Sequence, residues 1–259
     1  MVQAKAVTSK IAVQERLPDL NISDARTTSS AIHNIDYLGP LCPWPNFLGD
    51  VEGEFLTHNW ANNRHRLYLR PLGEPTPHSL WNEHCLVGNE TGVQGRWQTH
   101  LGEVMSAVFQ EQQFQLAFAD FVSSGKDYNK NPDLVMVNVT PDIMVVGELK
   151  VPWIEGHDLD EAILKILKLR RVLGQILAYM YDLEVKFGIL SNYEQILFLR
   201  LHEDPITGRE VQYSPVIYHD ASYSPGYVTV RQCIWFLAEQ ARAGYKASNL
   251  PSRAQWIRD

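Results

Sequence analysis

The stretch from Asn131 to Lys150, NPDLVMVNVTPDIMVVGELK, carries charged residues at the ends of two apolar runs. Asp133 stands where the first run begins, and Glu148 and Lys150 stand where the second run ends. Side chains two residues apart on a strand project to the same side, so we expect Glu148 and Lys150 to lie together while Leu149 faces away. Such groups can bind a divalent cation and can accept or donate a proton in catalysis. An isolated E-x-K pair, however, is more often a solvated ion pair that contributes little to stability.

Two strands must position these residues. The apolar runs predict strands that are joined by a turn at Thr140–Pro141–Asp142. Ile143 to Val146 form an unbroken apolar run, which predicts that the second strand is covered on both faces. The charged residues therefore stand at the ends of buried strands.

A helix is predicted upstream, over residues 89–113. Glu90 extends its apolar stripe backwards by one step, and Gln94 adjoins the stripe, so we expect both on or beside the buried face. Glu103 is the competing acidic residue on this helix, and it falls on the opposite side, towards solvent. The apolar stripe itself consists of Val93, Trp97, Leu101, Val104 and Val108.

Downstream of Lys150, a long helix is predicted to follow a cap at Asp158 or Asp160 and to continue to residue 184. Gln175 and Tyr179 are four residues apart and share one face of it. One or two turns earlier lies a basic side, formed by Lys165, Lys168 and Arg171 or Arg170. Further strands are predicted over residues 114–122, 187–190, 195–202 and 211–218, and a last helix over residues 230–243. Helix, three strands, helix, strands, helix is an α/β arrangement around a mixed sheet.

The first third of the chain has a different character. Residues 1–30 are polar and rich in Ser and Thr, which predicts a loosely ordered arm. The prolines of Gly39–Asp50 predict an extended loop packed through Trp44 and Phe47. Alternating residues at 64–70 predict a strand. We therefore expect an irregular extension, residues 1–88, docked on a core formed by residues 89–259.

Composition bounds the environment and the partners. Three widely spaced cysteines without C-x-x-C spacing exclude a disulfide framework and a cysteine-rich zinc site, and they favour an intracellular protein of cytoplasm or nucleus. No apolar run approaches a membrane span, and the N-terminus lacks the apolar core of a secretory signal. The net charge of −7 argues against broad electrostatic capture of nucleic acid but allows a local basic groove. The sequence contains no histidine pair with metal-ligand spacing and no Gly-rich phosphate loop.

The charged residues follow an order that resembles the PD-(D/E)XK nuclease superfamily, whose restriction-endonuclease-like core is helix, three strands, helix, strand. Pro132–Asp133 matches the PD element, Glu148–Leu149–Lys150 matches E-x-K, and Gln175 to Tyr179 fits a Q-x-x-x-Y motif of one branch. The segment GQILAYMYDLEVKFGILSNYEQILFLRL is also similar to the PD-(D/E)XK nuclease-like domains common in fungal proteins. The resemblance covers about residues 89–243.

The resemblance implies a nuclease that uses Mg²⁺ or Mn²⁺ to hydrolyse phosphodiester bonds of DNA or RNA. Lys150 would orient the attacking water or stabilise the developing charge. The metal ligands would be Asp133, Glu148 and Glu90, and Gln175 and Tyr179 would complete the catalytic set. Contacts with the nucleic-acid backbone would come from Lys165, Lys168 and Arg171.

Two other interpretations stay open at this point. One is a catalytically inactive member of the same fold that serves as a binding or interaction module, which the acidic total charge favours. The other is a small-molecule enzyme that has reused the scaffold, with the segment from Trp44 to Trp81 closing a pocket over the site. The sequence does not indicate an oligomeric state.

Overall fold

A computed structural model describes residues 5–29, 34–60, 67–69, 83–204 and 208–259. The strands in chain order are β1 (Lys5–Val7), β2 (Asn21–Ile22), β3 (Asp36–Tyr37), β4 (Leu41–Pro43), β5 (Leu67–Leu69), β6 (Leu86–Val87), β7 (Leu116–Ala119), β8 (Leu134–Asn138), β9 (Ile143–Leu149), β10 (Phe187–Ser191), β11 (Gln195–Asp204), β12 (Gly208–Tyr213), β13 (Ile217–Tyr218) and β14 (Ile257–Arg258). The helices are α1 (Ser9–Ala12), α2 (Phe47–Thr57), α3 (Glu90–Trp97), α4 (Glu103–Glu111), α5 (Leu159–Leu164), α6 (Ile166–Val172), α7 (Gly174–Asp182), α8 (Val230–Gly244) and α9 (Arg253–Trp256).

The expected α/β arrangement around a mixed sheet is confirmed. The main sheet has eight strands, in the order β4–β12–β11–β10–β9–β8–β7, with β13 beside β11. Strands β7, β8 and β9 form an antiparallel meander, and β10 then pairs parallel with β9. A parallel neighbour needs a crossover connection, and α5, α6 and α7 provide it. All seven residues of β9 are buried, as the unbroken apolar run predicted.

The first predicted helix is interrupted by a π-helical turn at Gln98–Gly102. Such a turn inserts one extra residue into the helical spacing and changes which residues next to it face the core. Leu101 and Val108 are buried as expected, but Met105 takes the fully buried position that the spacing assigns to Val104, and Val104 is only partly buried. The predicted buried stripe is therefore observed, except that Met105 takes the place of Val104.

The long helix predicted to follow Lys150 is three helices. Asp158 caps α5, and its side chain accepts a hydrogen bond from the backbone N–H of Glu161. Lys165 has extended backbone angles, which separate α5 from α6, and α7 begins afresh at Gly174. The expectation of one continuous helix is wrong because the extended backbone of Lys165 ends α5, and α6 ends at Val172 before α7 begins. Gln175 and Tyr179 still share one face of α7.

The N-terminal region is more regular than expected. The loosely ordered arm predicted for residues 1–30 is wrong for its described part, which contains β1, α1 and β2 and buries Val7, Val13 and Leu17. Polar anchors hold this segment, because the Thr229 hydroxyl donates to the carbonyl of Val13 and the Tyr193 hydroxyl donates to that of Pro18 at 2.8 Å.

The loop predicted for residues 39–50 is also wrong in part. Residues 41–43 form β4, which pairs parallel with β12 at one edge of the main sheet. The prolines end before Phe47, and from there Phe47, Val51 and Phe55 recur every four residues and form the buried face of α2. Trp44 and Phe47 are buried, as predicted. The strand predicted over residues 64–70 is observed as β5, and the remainder of that prediction lies outside the described residues.

Apolar side chains cover both faces of the sheet. On one face, α2, α4 and α8 pack with Trp97, Phe198 and Trp235 in one buried cluster. On the other face, α6 and α7 pack with Val146, Ile176 and Leu199 in a second cluster. No helix within the described ranges has the length and apolar content that crossing a membrane requires.

Gly174, the first residue of α7, lies against the backbone of Ile35, so that a Cβ at this position would overlap the Ile35 carbonyl oxygen. We predict that Gly174→Ala lowers the free energy of unfolding by about 1–3 kcal/mol, because backbone atoms cannot move aside as a side chain can. Urea unfolding measures this. The matched control is Gly95→Ala in α3, where a Cβ meets nothing within 4 Å and better helix propensity should leave stability unchanged or slightly raised. Equal effects of the two substitutions would contradict the close approach.

Candidate active site

A cleft of about 450 Å³ opens where β9 ends. Its lining includes all six residues that the sequence nominated for catalysis: Glu90, Asp133, Glu148, Lys150, Gln175 and Tyr179. They come from the first turn of α3, the residue before β8, the end of β9 and one face of α7. Residues spread over ninety positions of the sequence therefore meet at one place.

Strand pairing sets the direction of the two central side chains. The backbone N–H of Lys150 donates to the carbonyl of Ser191 at 2.8 Å, which extends the parallel pairing of β9 with β10 by one residue. Glu148 and Lys150 therefore project to the α7 side of the sheet, while Leu149 enters the core on the other face. This is the alternation expected from the E-x-K spacing.

Lys150 is the centre of the polar contacts in the cleft. Its ammonium group donates a short hydrogen bond to Oε1 of Glu148 and a 3.2 Å bond to Oε1 of Gln175. Oε2 of Glu90 lies 3.9 Å from the same nitrogen, at the more exposed rim. The amide of Gln175 in turn donates to the Tyr179 hydroxyl at 2.7 Å. The Q-x-x-x-Y pair thus forms a chain of hydrogen bonds that ends on the lysine.

Asp133 is held by backbone groups. Its Oδ2 accepts a hydrogen bond of 2.7 Å from the backbone N–H of Leu149, so the Asp133 carboxylate lies against the backbone between Glu148 and Lys150. The side-chain amide of Gln94 donates to the Asp133 carbonyl at 2.6 Å and ties α3 to the start of β8. Gln94 on the helix and Leu149 on the strand therefore position Asp133 from two sides.

The cleft collects more negative than positive charge, and burial makes this costly. Burial and, after it, the nearby Asp133 raise the pKa of Glu148 to about 8, although Lys150 acts in the opposite direction. Burial likewise raises the pKa of Asp133 to about 6, with the Leu149 N–H opposing the shift and Glu90 adding to it. Both carboxyl groups are therefore poised to exchange protons close to neutral pH.

One oxygen of this group has no partner. Oε2 of Glu148 is buried and accepts no hydrogen bond, although a buried oxygen without a donor is unfavourable by about 1–3 kcal/mol. A divalent cation at the carboxylates would supply the missing positive charge, and carboxylate oxygens are the ligands that Mg²⁺ prefers. Among the described residues no three His, Cys, Asp or Glu side chains are already grouped as a metal site. Lys150 and the Leu149 N–H each engage one carboxylate oxygen that such a site would use.

The remaining nominated residues lie elsewhere. Glu103 is exposed and lines a separate depression between α4 and β7, so Glu90 is the acidic residue of the first helix that reaches the cleft. Lys165 and Lys168 both pair with Glu161. Arg171 donates to the side chain of Asn34 at 3.0 Å. The described lining of the cleft includes none of these three basic residues.

Three further residues line the cleft without having been nominated: Ile35, Lys130 and Asn131. Lys130 and Asn131 immediately precede the Pro132–Asp133 element, so their proximity was available as a signal in the sequence. Ile35 gives no such signal, because its place depends on the contact between its backbone and Gly174. His157 supports the site from behind, through a 2.9 Å hydrogen bond between its Nδ1 and the carbonyl of Val151.

Comparisons with known proteins add no assignment. No family model matches the chain, and neither the curated proteins nor the solved structures contain a match to it. The geometry of the cleft therefore carries the functional argument.

The raised pKa values predict an unusual dependence of stability on pH. The folded state keeps protons on Glu148 and Asp133 that the unfolded chain has already released, so stability should fall as pH rises from about 4.5 to 8. Glu148→Gln removes the larger part of this effect. We expect this variant to match wild type near pH 5 and to exceed its free energy of unfolding by about 1–3 kcal/mol at pH 9, measured by urea unfolding.

The exposed Glu103→Gln is the matched control for that experiment, since it changes the same chemical group outside the cleft. Its pH profile should follow wild type throughout. A Glu148→Gln profile parallel to wild type would mean that Glu148 does not bear the buried charge.

Proposed function

We propose that this chain is a metal-dependent nuclease of restriction-endonuclease-like fold that hydrolyses phosphodiester bonds. The order of elements supports the fold: a helix, the meander β7–β8–β9, the crossover helices and then β10 parallel to β9. The positions of the PD-like residues directly before β8 and of the E-x-K-like residues at the end of β9 support the activity. Intracellular location, in cytoplasm or nucleus, is part of the same proposal.

One observation carries the proposal. A buried carboxylate oxygen of Glu148 without a partner lies in a cleft that also holds Asp133, Glu90 and Lys150. A structural ion pair would need only one carboxylate for one lysine, whereas this cleft gathers three carboxylates with Lys150 among them, and its second lysine, Lys130, lies 4.0 Å from the carboxylate of Asp259. Excess negative charge of this kind is destabilising by itself and is useful when a cation is to be bound.

The residues of the cleft suggest a division of labour. Asp133, Glu148 and Glu90 would hold Mg²⁺ or Mn²⁺, which would supply positive charge next to the phosphate group. Lys150 would orient the attacking water or donate a hydrogen bond to a phosphate oxygen. Gln175 fixes the lysine ammonium through its amide oxygen, and the Tyr179 hydroxyl fixes the Gln175 amide in turn.

A second candidate is hydrolysis of a small phosphodiester. It is favoured by the lining of the cleft, which in its described part includes none of Lys165, Lys168 and Arg171, the residues expected to contact a nucleic-acid backbone. The third possibility, an inactive binding module, predicts that the cleft has no metal-dependent chemistry at all. Metal binding and the type of substrate that is cleaved distinguish the three candidate functions.

Metal binding is testable without any substrate. We expect millimolar Mn²⁺ or Mg²⁺ to raise the melting temperature of wild type at pH 8, because a ligand that binds only the folded state stabilises it. The increase should be smaller at pH 6, where the carboxyl groups that must lose protons still carry them. Asp133→Asn and Glu148→Gln should abolish the increase, and Glu103→Gln should retain it. A metal response that survives in both cleft variants would contradict the site.

Cleavage is measured with mixed single-stranded and double-stranded DNA and RNA, and with bis(p-nitrophenyl) phosphate as a small diester. Glu148→Gln and Lys150→Ala should each lower the metal-dependent rate by about 100-fold or more, the usual effect of removing a group that stabilises the transition state. Glu103→Gln should cleave at the wild-type rate. Equal rates in all four proteins would assign the cleavage to a contaminant, and activity on the small diester alone would favour the second candidate.

A further inference from the structure

A second polar cavity lies on the same face of the sheet as the candidate active site but at the other end of β10. Its volume is about 190 Å³, and it lies between the ends of β10, β11 and β12 and the segment that follows α8. Glu148 pairs with Leu190, four residues beyond Lys186, which puts the two sites roughly 13 Å apart along the strand. We call it the β10–β12 pocket, lined by Lys186, Leu201, His202, Glu203, Arg209, Ala247, Ser248 and Leu250.

Arg209 is the notable donor in this pocket. Its side chain is only 16% exposed, and Nη1 is buried without a hydrogen-bond partner. Nη2 reaches the carboxylate of Glu203 at 3.5 Å, the limit of a hydrogen bond, and Glu203 is itself 72% exposed. A contact of this kind contributes little to stability, whereas a buried N–H without a partner is destabilising. The guanidinium therefore has an N–H group, on Nη1, that can donate to a ligand.

Lys186 adds a second positive charge to the pocket. Its backbone N–H donates to the carbonyl of Tyr245, and its carbonyl accepts from the N–H of Leu201. These two hydrogen bonds fix the backbone directly before β10, and the Lys186 side chain lines the pocket. His202 and the Ser248 hydroxyl add further possible donors. Glu203 is the acidic residue of the described lining, and its exposure places it at the solvent side. Two permanent cations against one exposed carboxylate favour an anion.

The rest of the wall is apolar. Leu201, Ala247 and Leu250 lie beside the cationic groups, so the pocket offers a charged end and an apolar surface next to each other. A planar guanidinium with free N–H groups matches the oxygens of a phosphoryl group, which it can contact in a forked geometry. We propose that the β10–β12 pocket binds the phosphoryl group of a small phosphomonoester whose organic part rests on this apolar wall.

The proposal does not depend on nuclease activity, because the pocket shares no residue with the cleft at β9. Isothermal titration calorimetry in EDTA is therefore the test, with inorganic phosphate, 5′-AMP and adenosine as the probes. We expect phosphate and 5′-AMP to bind to wild type, 5′-AMP more tightly, and adenosine to show no binding. Arg209→Gln should weaken 5′-AMP binding by about tenfold, corresponding to the loss of one charge-assisted hydrogen bond.

Two controls keep the outcome decisive. Arg242→Gln removes an arginine that pairs with Glu239 on α8, outside the pocket, and should bind 5′-AMP as wild type does. Lys150→Gln tests whether 5′-AMP binds in the cleft instead. If Lys150→Gln loses 5′-AMP binding while Arg209→Gln retains it, the phosphate binds at the candidate active site and the proposal is overturned. Lys186→Gln, at the residue before β10, repeats the test should Arg209→Gln fail to fold. Absence of phosphate and 5′-AMP binding in wild type would also overturn it.

Discussion

A lysine ammonium and a glutamate carboxylate lie together below the surface at the end of β9, and much of the architecture around them serves to keep them there. β9 is buried along its whole length, so the two charged side chains at its end can reach solvent only through the cleft. Desolvating such a pair is unfavourable unless other groups satisfy it. Gln175 from α7 and Glu90 from α3 compensate the Lys150 ammonium group, and these contacts couple both helices to the end of one strand.

The compensation is incomplete. Other buried polar atoms also lack a partner, among them Nε of Arg231, but in the cleft the unsatisfied atom belongs to a carboxyl group that has a second carboxyl group beside it. The buried guanidinium of Arg231 donates to the carbonyls of His100 and Ala12 and ties the N-terminal segment to α8 and the π-helical turn. That arrangement makes structural sense because each contact joins two elements. In the cleft, by contrast, Glu148 keeps an oxygen without a donor beside a second carboxylate. Such residual imbalance is typical of places where a protein meets a ligand.

The sequence was informative where chemistry follows from local spacing. The orientation of Glu148 and Lys150 follows from the two-residue period of a strand, and the shared face of Gln175 and Tyr179 follows from one helical turn. It was uninformative where a distant backbone decides the outcome. Ile35 reaches the cleft wall beside Gly174, where a Cβ would overlap its carbonyl oxygen, and the one-residue shift from Val104 to Met105 follows a π-helical turn that the regular helical spacing did not indicate. Regular structure before residue 60 was missed because prolines and polar residues dominate that composition.

The parallel pairing of β4 with β12 has a consequence for how the chain reaches this state. Leu41 lies beside Val211, and Tyr213 beside Pro43, so one edge of the sheet joins residues from opposite ends of the chain. During synthesis, the strands that carry the cleft emerge long before β12, while β4 waits without its neighbour. Contacts of such sequence separation carry a large loop-closure entropy and slow the approach to the native state. The first strand of the sheet to be made is therefore among the last to be paired.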